Sequence, residues 1–120
     1  MNTFREKIRP YIETELEQAK SLEAAGQLEL AFMHLECAHV LGQKDTHWHV
    51  RVHQTMLAFA TRHKDAKEIA GQLLRIAGAA TKTPLRIYPT GNTGGANVSP
   101  IQPMPIAADL QLILDNVEHK

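Results

Sequence analysis

Apolar residues recur every three or four positions through most of residues 3–82, and this spacing is the period of an α-helix. Four such segments, at about 3–25, 27–41, 46–62 and 65–80, are separated by short turns that contain glycine or polar residues. Helices joined by short turns run antiparallel to their neighbours. The pattern therefore predicts an all-α chain of two antiparallel helical hairpins, arranged as a four-helix bundle or like tetratricopeptide repeats.

Residues that favour helix ends support these boundaries, with Pro10 as the exception. Inside a helix, the ring of a proline clashes with the carbonyl four residues earlier, so Pro10 either kinks the first helix or marks its true start. The predicted caps are Thr3, Asp45 or Thr46, and Asp65, and the predicted terminating glycines are Gly26 and Gly42. In the fourth helix, the residues predicted to face the core are Ile69, Leu73, Leu74 and Ile76.

Residues 83–105 are rich in proline and glycine and show little periodicity. They also contain several large apolar residues, in which disordered segments are poor. We therefore expect an ordered strap that covers the helices, followed by a short last helix at 106–118 with Pro105 in its first turn. The whole chain, 1–120, is predicted to be a single domain, with the hairpins in residues 1–82.

Charge and composition argue against several classes of protein. The 13 Lys and Arg residues balance 13 Asp and Glu residues and are scattered, so the basic surface expected of a nucleic-acid binder is missing. No apolar run approaches the roughly 20 residues of a membrane span, and no basic-then-apolar leader begins the sequence. Cys37 is the only cysteine, so the sequence offers no pair of cysteines for a disulfide and is consistent with a reducing compartment. We expect a cytoplasmic protein that binds neither nucleic acid nor membranes.

Two pairs of potential metal ligands flank the turn at residues 42–45. Glu36 and His39 are three residues apart on the second helix, and His49 and His53 are four apart on the third, so each pair shares a helix face. An antiparallel hairpin brings both pairs to its closed end. Because packed helices lie about 8 to 10 Å apart and metal–nitrogen bonds are about 2.0 to 2.1 Å long, these four side chains are predicted to hold one ion.

Three imidazoles and one carboxylate suit zinc best, with iron, copper and nickel as alternatives. The ion would serve metal handling or metal-dependent catalysis. In a hydrolytic version, Glu36 is the general base, the histidines hold the metal, and the amides near Gly94 and Gly95 receive an oxyanion. Glu36 and His39 also match one Glu-x-x-His element of di-iron bundles, and a homodimer would supply the second.

Other interpretations stay open. Glu36 alone could pair with one histidine while the others lie in solvent. The hairpins could form a tetratricopeptide-like protein-interaction module without a metal. The chain could bind a cofactor or small ligand in a pocket between helices, lined by His39, His49, His53, Met56 and Tyr88. Residues 91–95 could form an anion-binding backbone nest or only tight turns.

Several segments together resemble a small bacterial family that is known only as a domain of unknown function. They are residues 32–43, the histidine pair in residues 49–53, residues 71–75, and the Gly-Asn-Thr-Gly-Gly and Pro-Met-Pro-Ile runs at 91–95 and 103–106. The resemblance spans nearly the whole chain. It implies that the hairpin and the strap form one unit, and it implies no activity.

Overall fold

The fold is taken from a computed structural model that describes residues 3–86, 89–99 and 102–118. All regular elements in these ranges are helical, which confirms the predicted all-α fold. The elements are α1 (Phe4–Ala24), α2 (Leu28–Gly42), α3 (Thr46–Arg62), α4 (Ala66–Lys82), a 3₁₀ turn (Thr83–Leu85) and α5 (Ala108–Glu118). No helix in the described part of the chain is both long and apolar enough to cross a membrane.

The helices pack as two sequential pairs. α1 packs against α2, α3 packs against α4, and α2 contacts α3 to join the pairs, while α5 covers α1 and α2. The apolar core lies mainly between α1, α2, α3 and α5, and its most deeply buried large side chains are Ile8, Ile12, Leu41, Val52 and Met56. This arrangement leaves one face of α3 and α4 for the strap.

Most helix ends lie close to the predicted positions. The side chains of Thr3, Asp45 and Asp65 each accept a hydrogen bond from a backbone N–H of the first turn that follows. α1 begins at Phe4 and continues past Pro10, so a helix start after the proline was wrong. α5 begins at Ala108, two residues later than predicted, which leaves Pro105 outside its first turn.

The predicted inner face of α4 was wrong. Leu73 and Leu74 are 56% and 63% exposed, whereas the buried residues of α4 are Glu68, Gln72, Arg75 and Ala79. Burying polar side chains is costly unless they are hydrogen-bonded. Apart from Arg75 Nε, the polar side chains of this face have hydrogen-bond partners in α3, in α4 or in the strap, so α4 can turn them inward.

The strap is held to the helices by specific hydrogen bonds. The Gln43 side-chain amide donates to the Pro89 carbonyl at 2.6 Å and accepts from the Gly91 N–H at 3.0 Å. Gly91 has φ +81°, and a Cβ there would lie 1.9 Å from the Met104 carbonyl oxygen. Only glycine allows this approach of the two ends of the strap. The expected ordered strap is therefore present over its described residues.

Candidate metal centre

Three buried histidines converge beneath the strap. His39 from α2 and His49 and His53 from α3 are 2%, 6% and 2% exposed. The Nε2 atom of His39 lies 3.0 Å from that of His53 and 3.1 Å from that of His49. Each histidine offers a nitrogen within 4.8 Å of those of the other two. The i, i+4 spacing on α3 and the hairpin turn produce this cluster, as the sequence predicted.

The opposite ring nitrogen of each histidine has a hydrogen-bond partner outside the cluster. His39 Nδ1 donates to the Asn92 carbonyl at 2.7 Å, and His53 Nδ1 lies 2.6 Å from Gln72 Oε1. The Gln72 amide nitrogen donates to Glu68 Oε2 and to the Gly94 carbonyl, which leaves its oxygen to accept from His53. His39 and His53 therefore carry their protons on Nδ1.

His49 has a more permissive partner. Its Nδ1 lies 2.6 Å from the Thr83 hydroxyl, which can donate or accept. The tautomer of His49 is therefore not fixed by this contact. Metal-bound histidines commonly have such a partner on the second ring nitrogen, which orients the ring and holds the proton away from the metal.

The tautomers of His39 and His53 leave two Nε2 lone pairs facing each other across 3.0 Å when both rings are neutral. A shared proton would relieve this contact only if one ring became cationic. Burial, followed by the charge of neighbouring histidines, holds the pKa of His39 well below its usual value. Burial also lowers the pKa of His49 to about 3 and that of His53 to about 4. At neutral pH the three rings are therefore neutral, and a metal cation is one group that can bind the lone pairs of both His39 and His53.

The nitrogen spacing suits a transition metal. With metal–nitrogen bonds of about 2.1 Å, ligand nitrogens lie about 3.4 Å apart in tetrahedral geometry and about 3.0 Å apart at right angles. The observed separations of 3.0 and 3.1 Å are close to this range. Three protein ligands would leave a coordination position open on a bound ion, and the same histidines line a cavity of about 290 Å³.

Glu36, the fourth predicted ligand, is not among the groups that converge. Its half-buried carboxyl lies near Thr93 and Glu68. Burial raises the pKa of Glu36, the Thr93 hydroxyl opposes this effect, and the charge of Glu68 adds to it. Glu36 also does not line the cavity. The three histidines, without the carboxylate, make up the cluster.

Gly94 lets the strap lie directly on His39. Its φ is +87°, and a Cβ there would lie 2.7 Å from the ring carbons of His39. The Gly94 N–H donates to Asn92 Oδ1 at 2.9 Å, and its carbonyl accepts from Gln72. The Gly94 N–H, predicted to receive an oxyanion, is therefore already engaged in a hydrogen bond within the strap.

Sequence reasoning missed the residues that orient the histidines, namely Gln72, Thr83 and the backbone of Asn92. The Gly-Asn-Thr-Gly-Gly run was recognised, but nothing in its spacing assigns it to His39. The inward polar face of α4 was the available signal. Glu68, Gln72, Arg75 and Ala79 recur at helical spacing and so share one face of α4, and three of them are polar.

The other histidines lie outside the cluster. His34 and His63 pair with Glu15 and Glu23, each at 2.6 Å, and His47 is exposed beside Trp48.

Met56, expected in a ligand pocket, is in the apolar core, whereas Tyr88 and His119 lie outside the described residues. An interaction module would be favoured by an exposed apolar groove with the histidines outside it, whereas here they line a cavity under the strap.

Comparison with known proteins gives a family and no activity. Residues 6–114 match the family described as "Protein of unknown function (DUF3703)", which covers most of the chain, so the chain belongs to that family. No curated protein and no solved structure matches the sequence significantly.

Proposed function

We propose that this chain, a member of a family without a described activity, is a metal-binding protein that holds one divalent transition ion between His39, His49 and His53. The observation that carries the proposal is the convergence of Nε2 atoms at 3.0 and 3.1 Å while the Nδ1 atoms are hydrogen-bonded outside the cluster. The Nε2 lone pairs of neutral His39 and His53 repel each other across 3.0 Å unless a cation lies between them.

Zinc is the ion we propose first. Imidazole nitrogen suits zinc, copper, iron and nickel, and zinc with three histidines and one open position is a common arrangement. Structural zinc sites instead use four protein ligands. The apolar core between the other helices also supplies a fold that does not need the metal. The site is therefore better suited to an ion that also binds a ligand from outside the protein than to a structural ion.

Metal handling is supported better than hydrolysis with Glu36 as general base. A general base must come within hydrogen-bond reach of the substrate proton, directly or through one water. Among the described residues, no carboxylate lines the cavity beside the histidines. The charged side chains that do line it are Arg75 and Lys82. Binding of a metal, or of a metal with an anionic ligand, is therefore the role that we propose.

The first test is elemental analysis of tag-free protein, before and after reconstitution with zinc. We expect about one ion per chain. Half an ion per chain would indicate a site shared between two copies. Metal far below stoichiometry after reconstitution would contradict the proposal, because a preformed buried cluster of three imidazoles should retain zinc through gel filtration.

The variant His53→Ala identifies the site, and His63→Ala is its control. Both residues belong to the α3 region, but His63 pairs with Glu23 at the surface end. We expect His53→Ala to lose stoichiometric zinc and His63→Ala to keep it, with both proteins helical by circular dichroism. Equal zinc content in the two variants would contradict the ligand assignment.

A further inference from the structure

The cavity in front of the histidine cluster has the size of a small-molecule site. Its volume of about 290 Å³ is just below the range of about 300 to 1,000 Å³ that is typical of ligand pockets. It is bounded by α3, α4 and the strap, with the three histidines in its wall. A peptide or a large cofactor does not suit this volume, whereas a metabolite of a few carbon atoms does.

The charged groups of the cavity are all cationic. Arg75 is 9% exposed, and it donates to the carbonyls of Gly71 at 3.0 Å and Val98 at 2.7 Å. These neutral partners do not cancel its charge, and its Nε atom has no hydrogen-bond partner among the described residues. The negative charge of Glu68 raises the pKa of Arg75, but Glu68 does not line the cavity. Lys82 is exposed and forms no ion pair within the described residues.

The rest of the cavity wall is largely apolar. Leu74, Ala79 and Pro89 line it, and Gly78 leaves open space where a side chain would otherwise stand. Gln43 and Asn92 also line it, but the structure uses their side-chain amides to hold the strap. A ligand in the cavity therefore meets both cationic side chains and apolar surface.

We propose that the cavity binds a small organic acid, whose anionic group reaches the metal and the nearby cationic side chains while its apolar body lies along α4. This inference rests on the proposed metal site. A divalent ion with three neutral histidines, together with Arg75 and Lys82, concentrates positive charge in a partly desolvated space. Because unpaired buried charge is costly, an anion that completes the coordination of the metal stabilises the whole site.

A carboxylate is favoured over inorganic phosphate by the apolar wall. Phosphate carries charge but has no apolar part to bury against Leu74, Ala79 and Pro89. Each methylene group that is buried contributes a factor of about four in affinity. Affinity should therefore rise along a series of straight-chain acids until the cavity is full.

The test uses protein loaded with Co(II), whose visible spectrum changes when a ligand enters its coordination shell. Acetate, butyrate and hexanoate are titrated separately, with hexanamide as the neutral control and inorganic phosphate as the charged control. We expect saturating spectral changes with the acids, a dissociation constant that falls about fourfold for each added methylene, weaker binding of phosphate, and no change with hexanamide.

Two variants, compared with one control, locate the bound acid. In Gly78→Leu the new side chain enters open space beside the cavity, since a Cβ at Gly78 meets no atom within 4 Å. Ala80→Leu is the control, because Ala80 is an exposed residue of α4 that does not line the cavity. We expect Gly78→Leu to keep the Co(II) spectrum and lose the response to hexanoate, and Ala80→Leu to keep both. Lys82→Gln should weaken butyrate about two- to fivefold.

The possible outcomes separate this inference from the metal proposal. Stoichiometric Co(II) with no spectral response to any acid would overturn the organic-acid site and leave the metal site intact. Equal responses to hexanoate and hexanamide, or tightest binding of phosphate, would overturn the choice of ligand class. Failure to bind Co(II) would overturn both proposals, because the acid is proposed to reach the metal.

Discussion

The buried and surface histidines of this chain differ in the chemistry of their partners. His34 and His63 each face a glutamate at 2.6 Å, and both rings are partly exposed. His39, His49 and His53 instead contact a carbonyl, a hydroxyl and an amide oxygen, and their remaining nitrogens face one another. A carboxylate can compensate the charge of a protonated ring, whereas neutral acceptors favour neutral rings with free lone pairs. The chemistry of the partners therefore distinguishes the surface histidines from the candidate metal site.

The largest difference between the buried and surface histidines is expected on acidification of the metal-free protein. At pH values well above about 6.5, the buried histidines are neutral in both the folded and the unfolded chain. At lower pH the unfolded chain takes up protons that the folded cluster does not, because burial lowers the pKa of His49 to about 3 and of His53 to about 4. The free energy of unfolding should therefore fall, by at most roughly 4 kcal/mol per pH unit for three protons.

Urea unfolding of the metal-free protein at pH 7 and pH 5 measures this effect. Glu36 acts in the opposite direction, because burial raises its pKa and protonation then favours the folded state. A double variant with His34→Gln and His63→Gln serves as the control and should retain the loss. Equal stability of the metal-free protein at the two pH values would show that the buried rings accept protons.

The second largest effect is expected from Gly94→Ala. The new Cβ would lie 2.7 Å from the His39 ring, and φ is +87°, so strain and displacement of the ring should together cost about 2 to 4 kcal/mol. Gly26→Ala is the matched control, since its φ is +79° but a Cβ there meets no atom within 4 Å. It should cost only about 1 kcal/mol. Chemical unfolding and zinc titration should separate the variants, and equal losses would show that the strap does not constrain His39.

Thr83→Val should have a smaller effect, confined to metal affinity. Valine keeps the shape of threonine but removes the hydroxyl at 2.6 Å from His49 Nδ1. Loss of such a partner typically weakens metal binding about 10- to 100-fold. Thr81→Val is the control, because the Thr81 hydroxyl bonds only within α4. Competition with a chromophoric chelator measures both constants, and unchanged affinity in Thr83→Val would show that His49 needs no orienting partner.

The smallest effect is expected at the surface. His34→Gln removes the contact with Glu15, an ion pair of a kind that contributes less than about 1 kcal/mol. Metal content and affinity should remain those of the unmodified protein. A measurable loss of zinc in this variant would mean that the surface and buried histidines are coupled, which their separate partners argue against.

Sequence reasoning found the helices and the three histidines because both follow local periodicity. The residues that contact the histidines from α4 and the strap lie 19 to 53 positions away along the chain, and no periodic signal connects them. The same limit explains the error in α4. Leu73 and Leu74 were assigned to the core by hydrophobicity alone, while Gln72 and Arg75 are buried because distant groups satisfy them. Glu36 shared the predicted helix face but lies beside Thr93 instead of the cluster.

The contact between His39 and the Asn92 carbonyl spans 53 residues and has a consequence for the order of folding. Hairpins close over short loops, whereas contacts between distant parts of a chain carry a larger entropic cost and form later. The α2–α3 hairpin can therefore form before the strap fixes the His39 ring. If the proposed site binds a metal, we expect tight binding only after the strap has docked. The rate of metal binding during refolding would then report the docking of the strap, the last step of folding.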